Sequence, residues 1–231
     1  LKRYFMSIIF NNIDKMSFDD LGEESEFIPL MTSEDEEALE KEVLPDVLSI
    51  LPLTNTVLFP GVVMPINAGS DKSIKLINDA NKSNKLIGVI AQKSPKVENP
   101  SIENIHGVGT VAKILRVLKM PDGNTTVIIQ GKKRFKIKSV VKTDPYIQAT
   151  IDSVNDKNQK KSNSKFSATI DAIKDIALKI IKENPNIPSE ASFAIKNIHS
   201  SAFLINFVCS NMNITVKDKQ NLLSSVSIED R

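Results

Sequence analysis

The chain has 231 residues, of which 41% are apolar and 25% charged, and its net charge is +2. That composition can fill a hydrophobic core without covalent staples, and it excludes a collagenous, a disulfide-framed or a wholly disordered chain. The single cysteine, Cys209, rules out an intramolecular disulfide and fits a reducing compartment, so a cytoplasmic protein is expected.

At the start, Leu1-Lys-Arg-Tyr-Phe-Met-Ser-Ile-Ile-Phe10 sets two basic residues before a brief apolar run. The run is too short for a secretory signal, lacks a small-residue cleavage site and is interrupted by Asn11-Asn12. A chain opening on Leu1 is read as a trimmed or mis-started one, with Met6 or Met16 as the natural first residue. No stretch reaches the roughly 18 to 20 apolar residues that span a bilayer, so no membrane partner is expected. Residues 17–46 hold twelve acidic side chains against Lys41 alone, whereas the chain from Val47 onward carries fifteen acidic and twenty-six basic residues. Like-charge repulsion and low hydrophobicity predict a disordered, acidic leader over residues 1–46. It reads as a solubilising arm, or as one that folds back on the basic remainder and competes with anionic partners.

From Val47 to Val154 the pattern is strand-like. Val47 to Leu51, Thr56 to Phe59 and Val62 to Ile66 are short aliphatic runs separated by Pro52, Pro60-Gly61 and Pro65, residues that belong at edges and turns. Bent corners of this kind predict a small barrel. Ser70 to Ala80 offers a capping Ser or Asp and then Ile74, Ile77 and Ala80 at helical spacing, which predicts one short helix among the strands. Leu86 to Ala91 reads as a buried strand. Gly107 to Met120 reads as a long strand, bent near Gly109, that turns at Pro121-Asp-Gly-Asn124 into Thr125 to Gln130. Proline presets φ and glycine accepts a positive one, so this is a hairpin. Phe135, Ile137, Ser139 and Val141 then alternate with Arg134, Lys136, Lys138, Val140 and Lys142, which predicts one face in the core and the other in water. Ile147, Ala149 and Ile151 repeat the logic, and the two strands should lie side by side.

Residues 155–164 are polar and aperiodic, and they read as a linker. Beyond them, residues 165–231 read as helical. Phe166, Ile170, Ile173, Ala177 and Ile180 make one apolar face after the candidate cap Ser164, ending at Asn184-Pro185. Further helices are expected from Pro188 and Glu190, from Ser200 or Ser201, and from Thr215, whose Thr-x-x-Asp spacing is that of a capping box with a shortened acid. Short helices so close in sequence hold only by packing on one another, as a bundle. The whole is α+β, a barrel followed by a helical bundle.

Taken together, Pro52-Leu53, Val57-Leu58-Phe59-Pro60-Gly61, Gly107-x-Gly109, Gly131-x-x-Arg134, Asp144-Pro145-Tyr146 and Lys217-Asp-Lys-Gln-Asn-Leu-Leu223 resemble, segment by segment, the amino-terminal region of the Lon family of ATP-dependent proteases. The likeness covers residues 44 to 231. It implies a partly open, PUA-like β-barrel joined to a helical bundle. In the family a long helix then leads to an ATPase module and to a protease domain with a Ser-Lys dyad. Ser227 to Arg231 falls where that long helix should begin, so a piece of a longer parent is expected. No phosphate-cradling loop is present, because Gly131-Lys132-Lys133 lacks both the earlier glycine and the following hydroxyl residue. No cofactor is therefore expected in this chain, with ATP and Mg2+ left to the ATPase module of the parent. The resemblance further implies unfolded or degron-bearing clients as partners and self-association in a homo-oligomeric, hexameric parent.

For client capture, Phe59 before the Pro-Gly turn and Met64 and Met120 beside turns are the candidate contacts, since methionine adapts to varied apolar partners. Lys132, Lys133, Arg134, Lys136 and Lys138, continued by Lys142, form a basic face. It reads as an ordinary solvated strand, as a face for acidic client segments, or as one for nucleic-acid phosphate. With 5% aromatic residues and no tryptophan, base-stacking platforms are scarce, so nucleic acid is a secondary partner. His106 and His199 have no cysteine or carboxylate at ligand spacing, Cys209 follows an apolar pair on a helix, and Asp171 and Asp175 share a solvated helical face. No catalytic residue and no metal ligand is assigned. The expected function is non-catalytic substrate recognition and assembly within a Lon-like protease of misfolded and regulatory proteins. The alternative is a stand-alone PUA-like module, with RNA as a candidate ligand.

Overall fold

The computed structural model describes residues 44–119, 125–156, 164–184 and 190–231. The expected acidic leader up to residue 43, Met120 with the turn expected at Pro121 to Asn124, residues 157–163, and residues 185–189 with the helix boundaries expected at Pro185 and Pro188 lie outside the described residues. The elements are β1 (Val47–Leu53), β2 (Val63–Ala68), α1 (Asp71–Lys82), β3 (Leu86–Ala91), β4 (Val108–Lys119), β5 (Thr125–Lys142) and β6 (Gln148–Val154), then α2 (Ser164–Glu183), α3 (Glu190–Asn197), α4 (Ser201–Asn211) and α5 (Val216–Ser224). The fold is α+β, a mixed six-stranded sheet with a few helices.

The strands follow the order β2-β5-β4-β3-β1-β6, and β5 pairs again with β6, so five strands close on themselves while β2 stays at an edge. Closure depends on the length of β5. Its first part lies between β2 and β4, and its last part, from Arg134 to Lys142, pairs antiparallel with β6 as the sequence foretold. The antiparallel β4–β5 pair, with Lys119 opposite Thr125, is the expected hairpin. In β2, Pro65 sits opposite Ile128; an edge strand accommodates proline by keeping the missing amide on its free side.

Two expectations fail for identifiable reasons. Thr56 to Phe59 is not a strand but a buried loop, because Gly61 takes a left-handed φ of 79° and turns the chain back. Its polar groups are met individually: Thr110 Oγ1 donates to the Leu58 carbonyl at 2.6 Å, and the Gly61 amide donates to the Gly131 carbonyl at 2.9 Å. The second failure is the alternation along β5. Register shifts show one extra residue between Gly131 and Arg134 relative to β4, and others at Lys138 and Val141 relative to β6. Each bulge exchanges the faces and bends the strand. Phe135 still enters the core, but Val141, expected inward, is 53% exposed.

Three apolar clusters hold the molecule. Leu48, Ile50, Ile90, Val111, Phe135 and Ala149 come from all five ring strands and fill the barrel. Leu76, Ile77 and Ala80 of α1, which starts at the Ser70 cap, cover the opposite face of the sheet. The third cluster joins the halves: Val57, Phe59, Val62 and Ala91 of the barrel meet Ile195, Ile198, Phe203, Leu204 and Leu223 of the helices. The helix starts follow the sequence. Ser200 Oγ accepts the Phe203 amide at 2.9 Å, and Thr215 Oγ1 accepts the Asp218 amide at 3.1 Å. The short Asp218 side chain accepts the Thr215 hydroxyl at 2.6 Å, a bond between side chains where a longer acid would reach the backbone.

Candidate functional site

The residues chosen from sequence scatter once folded. Phe59 is 0% exposed, held in the shared cluster by the loop that failed to become a strand, so it offers no surface to a ligand. Met64 is half-buried in β2 and packs against the cluster under α1. Met120 lies outside the described residues. Lys132 and Lys133 are half-buried at the first β5 bulge, while Lys136, Lys138 and Lys142 are exposed. Arg134 leaves the basic face altogether: it is 2% exposed and points into the junction between barrel and helices.

That junction is the most connected polar site among the described residues. Arg134 Nη1 donates to the carbonyls of Leu223 and Ser225 at 2.7 and 2.6 Å, at the carboxyl end of α5, where a cation complements the helix dipole. Its Nη2 lies 2.5 Å from Asp156, and Arg231 reaches the same carboxylate oxygen at 3.0 Å. Arg231 also donates to Asn206 Oδ1 at 2.6 Å, and Asn206 in turn donates to the Pro60 carbonyl at 3.2 Å. Gln220 Nε2 adds a bond from α5 to the Val108 carbonyl at 2.9 Å. Burial and the neighbouring Arg231 pull the pKa of Arg134 down while Asp156 raises it, yet an arginine stays charged under such shifts. The site clamps barrel to bundle. The glycine three residues upstream serves a different approach, that of the Phe59 loop to β5 within the barrel, since a Cβ on Gly131 would overlap the Phe59 carbonyl oxygen.

One residue that sequence reasoning placed in the core, Ile180, lies on an exposed apolar surface with two that it left unassigned, Ile176 and Phe193. Ile180, assigned to the inward face of its helix, is 54% exposed, Ile176 one turn earlier is 60%, and Phe193 on the adjacent α3 is 71%. The sequence signal was excess width: α2 carries more isoleucines than one inward stripe can use. A groove of about 590 Å3, which none of these three residues lines, runs between the first half of α2 and α4, lined by Phe166, Ile173, Val208, Met212 and Leu222 among others. A second cleft of about 710 Å3, with polar walls that include Thr54, Asn55 and Asn67, opens between β1, β2 and the start of α1. Such surfaces can take up apolar or extended segments of another macromolecule.

Among the described residues, titratable groups do not converge on a reactive centre. Burial pushes the Cys209 thiol up and so keeps it protonated, a poor nucleophile. The half-buried His106 is held below its usual value by burial and by Lys93. Among the described residues no three His, Cys, Asp or Glu side chains are placed to hold a metal ion, and no helix is long and apolar enough to cross a membrane.

Residues 47–231 match the family model described as the substrate-binding domain of ATP-dependent protease La (LON). A Lon protease of Flavobacterium johnsoniae is 59% identical over 219 residues, which cover 95% of this chain and 27% of that relative. A Lon protease of Cytophaga hutchinsonii is 50% identical over 198 residues, covering 86% of this chain and 24% of that relative. The chain thus spans about a quarter of the length of these curated relatives. Among solved structures, the N-terminal domain of Mycobacterium avium complex Lon protease superposes with a TM-score of 0.62 over 80% of this chain and 92% of that one. At 20% identity that likeness bears on the fold alone.

Proposed function

The chain belongs to the Lon substrate-binding domain family, and from that premise we propose that it is the non-catalytic recognition and assembly part of a longer, ATP-dependent serine protease. Its clients are misfolded or degron-bearing proteins, in the cytoplasm. In this reading residues 47–154 and 165–231 act as a barrel and a bundle kept in fixed relation by the Arg134 clamp, while ATP, Mg2+ and peptide-bond cleavage belong to other parts of the parent. Weak contacts suffice, because a homo-oligomer, a hexamer in this proposal, presents many copies and raises the effective concentration of each.

The observation that carries the proposal is the exposure of Phe193, Ile176 and Ile180, which no core requirement explains. The test replaces all three with serine and measures binding to a permanently unfolded protein such as reduced, alkylated lactalbumin. Affinity is expected to fall about tenfold, the effect of removing roughly 1.4 kcal/mol of apolar contact, with the melting temperature unchanged. Equal affinity for the variant and the parent overturns the assignment. A second reading, RNA binding by a PUA-like module, draws on the exposed Lys136, Lys138 and Lys142; steep loss of RNA affinity with salt, without binding to unfolded protein, would favour it.

A further inference from the structure

The charge of the chain is segregated, and the fold seats the residues that follow the acidic segment, from Leu44, close to a basic strand. Residues 17–43 carry eleven acidic side chains and one lysine, while the chain from Val47 onward has eleven more basic than acidic residues. The acidic segment joins the described fold at a fixed point. Leu44 packs on the cluster inside the barrel, and the Asp46 carbonyl accepts the Ile151 amide at 3.1 Å. Val47 to Ser49 pair with β6, and β6 pairs on its other side with the lysine-bearing end of β5, where Lys136 lies opposite Asp152. Neighbouring strands are about 4.8 Å apart, so the point of entry lies roughly 10 Å from β5.

That end of β5 presents Lys136, Lys138 and Lys142 to solvent. Among the described residues Asp152 stands 3.7 Å from Lys138, with both side chains about two-thirds exposed, and such pairs bind weakly. Other exposed cations, including Lys72, Lys75 and Lys82 on α1, belong to a different element and face. A tethered polyanion anchored two strands away is present at an effective concentration in the millimolar range, so weak individual contacts add up to occupancy.

We propose that the acidic segment, residues 17–43, docks in cis on the carboxyl-terminal half of β5, with Lys136, Lys138 and Lys142 as its counter-ions, and thereby competes with any other anionic ligand of that strand. The docking is electrostatic and sequence-tolerant. It weakens as salt shortens the screening length.

The experiment uses the full chain and two variants, one with Glu34→Gln, Asp35→Asn, Glu36→Gln and Glu37→Gln, the other with Lys136, Lys138 and Lys142 changed to glutamine. Zero-length carboxyl-to-amine crosslinking with peptide mass spectrometry reads the contact directly. A fluorescent polyglutamate peptide, titrated at about 50 mM and about 500 mM salt, reads the competition. Crosslinks from residues 17–43 are expected on Lys136, Lys138 and Lys142 in the parent. Neutralising the acidic segment should raise peptide affinity about tenfold at low salt, with parent and variant converging at high salt, and the lysine variant should lose binding. Crosslinks confined to lysines of α1, or a peptide affinity indifferent to the acidic substitutions, would overturn the proposal. All seven changes lie at exposed positions of β5 or ahead of the fold, and circular dichroism of each variant separates loss of docking from loss of structure.

Discussion

Burial of His106 beside Lys93 disfavours its charged form, so the folded chain binds a proton there less readily than the unfolded chain. Stability from this source is fully present above the unfolded value of about 6.5 and is lost as pH falls through the lower folded value. His106→Gln should therefore shrink the drop in urea midpoint between about pH 7.5 and about pH 5.5. An identical drop in parent and variant would show that other groups set the acid sensitivity. His106 stood out in the sequence only as one of two histidines; its environment could not be read there. The same holds for Arg134. Period-two alternation put it among solvated lysines, whereas the carbonyls that take it lie 89 and 91 residues downstream. No local pattern records a partner that distant. Gly131, in contrast, was legible as part of a motif with Arg134, and the structure supplies the cause, a backbone approach that admits no Cβ.

Among the elements, those fixed by local chemistry were readable. Ser70, Ser200 and Thr215 cap their helices because a short side-chain oxygen meets an amide that the helix leaves unpaired. The Pro-Asp-Gly signal gave the β4–β5 pairing. Long β5 was misread past Ile137 because bulges at Lys138 and Val141 are set by its pairing with β6, and pairing leaves no trace in one strand's own sequence. Helix α2 separates the two kinds of apolar residue within a single element. Ile170 is buried against the shared cluster, whereas Ile180 is largely in solvent. Ile170→Ala should cost about 2 to 4 kcal/mol in urea unfolding, and Ile180→Ala less than about 0.5 kcal/mol. Equal losses at the two positions would mean that Ile180 is packed and unavailable to a partner.

At the scale of the whole molecule, barrel and helices share both an apolar cluster and a polar clamp, so a single unfolding transition is expected. Arg134→Ala leaves the Leu223 and Ser225 carbonyls short of a donor and Asp156 with Arg231 alone. The expected loss is about 3 kcal/mol, felt by strands and helices together, because the cluster around Phe59 still couples them. Hydrogen exchange that loosens in the helices alone would instead mark the barrel as an independent unit. Pro65 carries a different consequence. Copies of a chain crowded side by side risk zipping their open sheet margins into a continuous ribbon, and β2 is such a margin. A ring nitrogen without hydrogen midway along it withholds one rung of that ladder, so crowding can proceed without fibril growth from this rim.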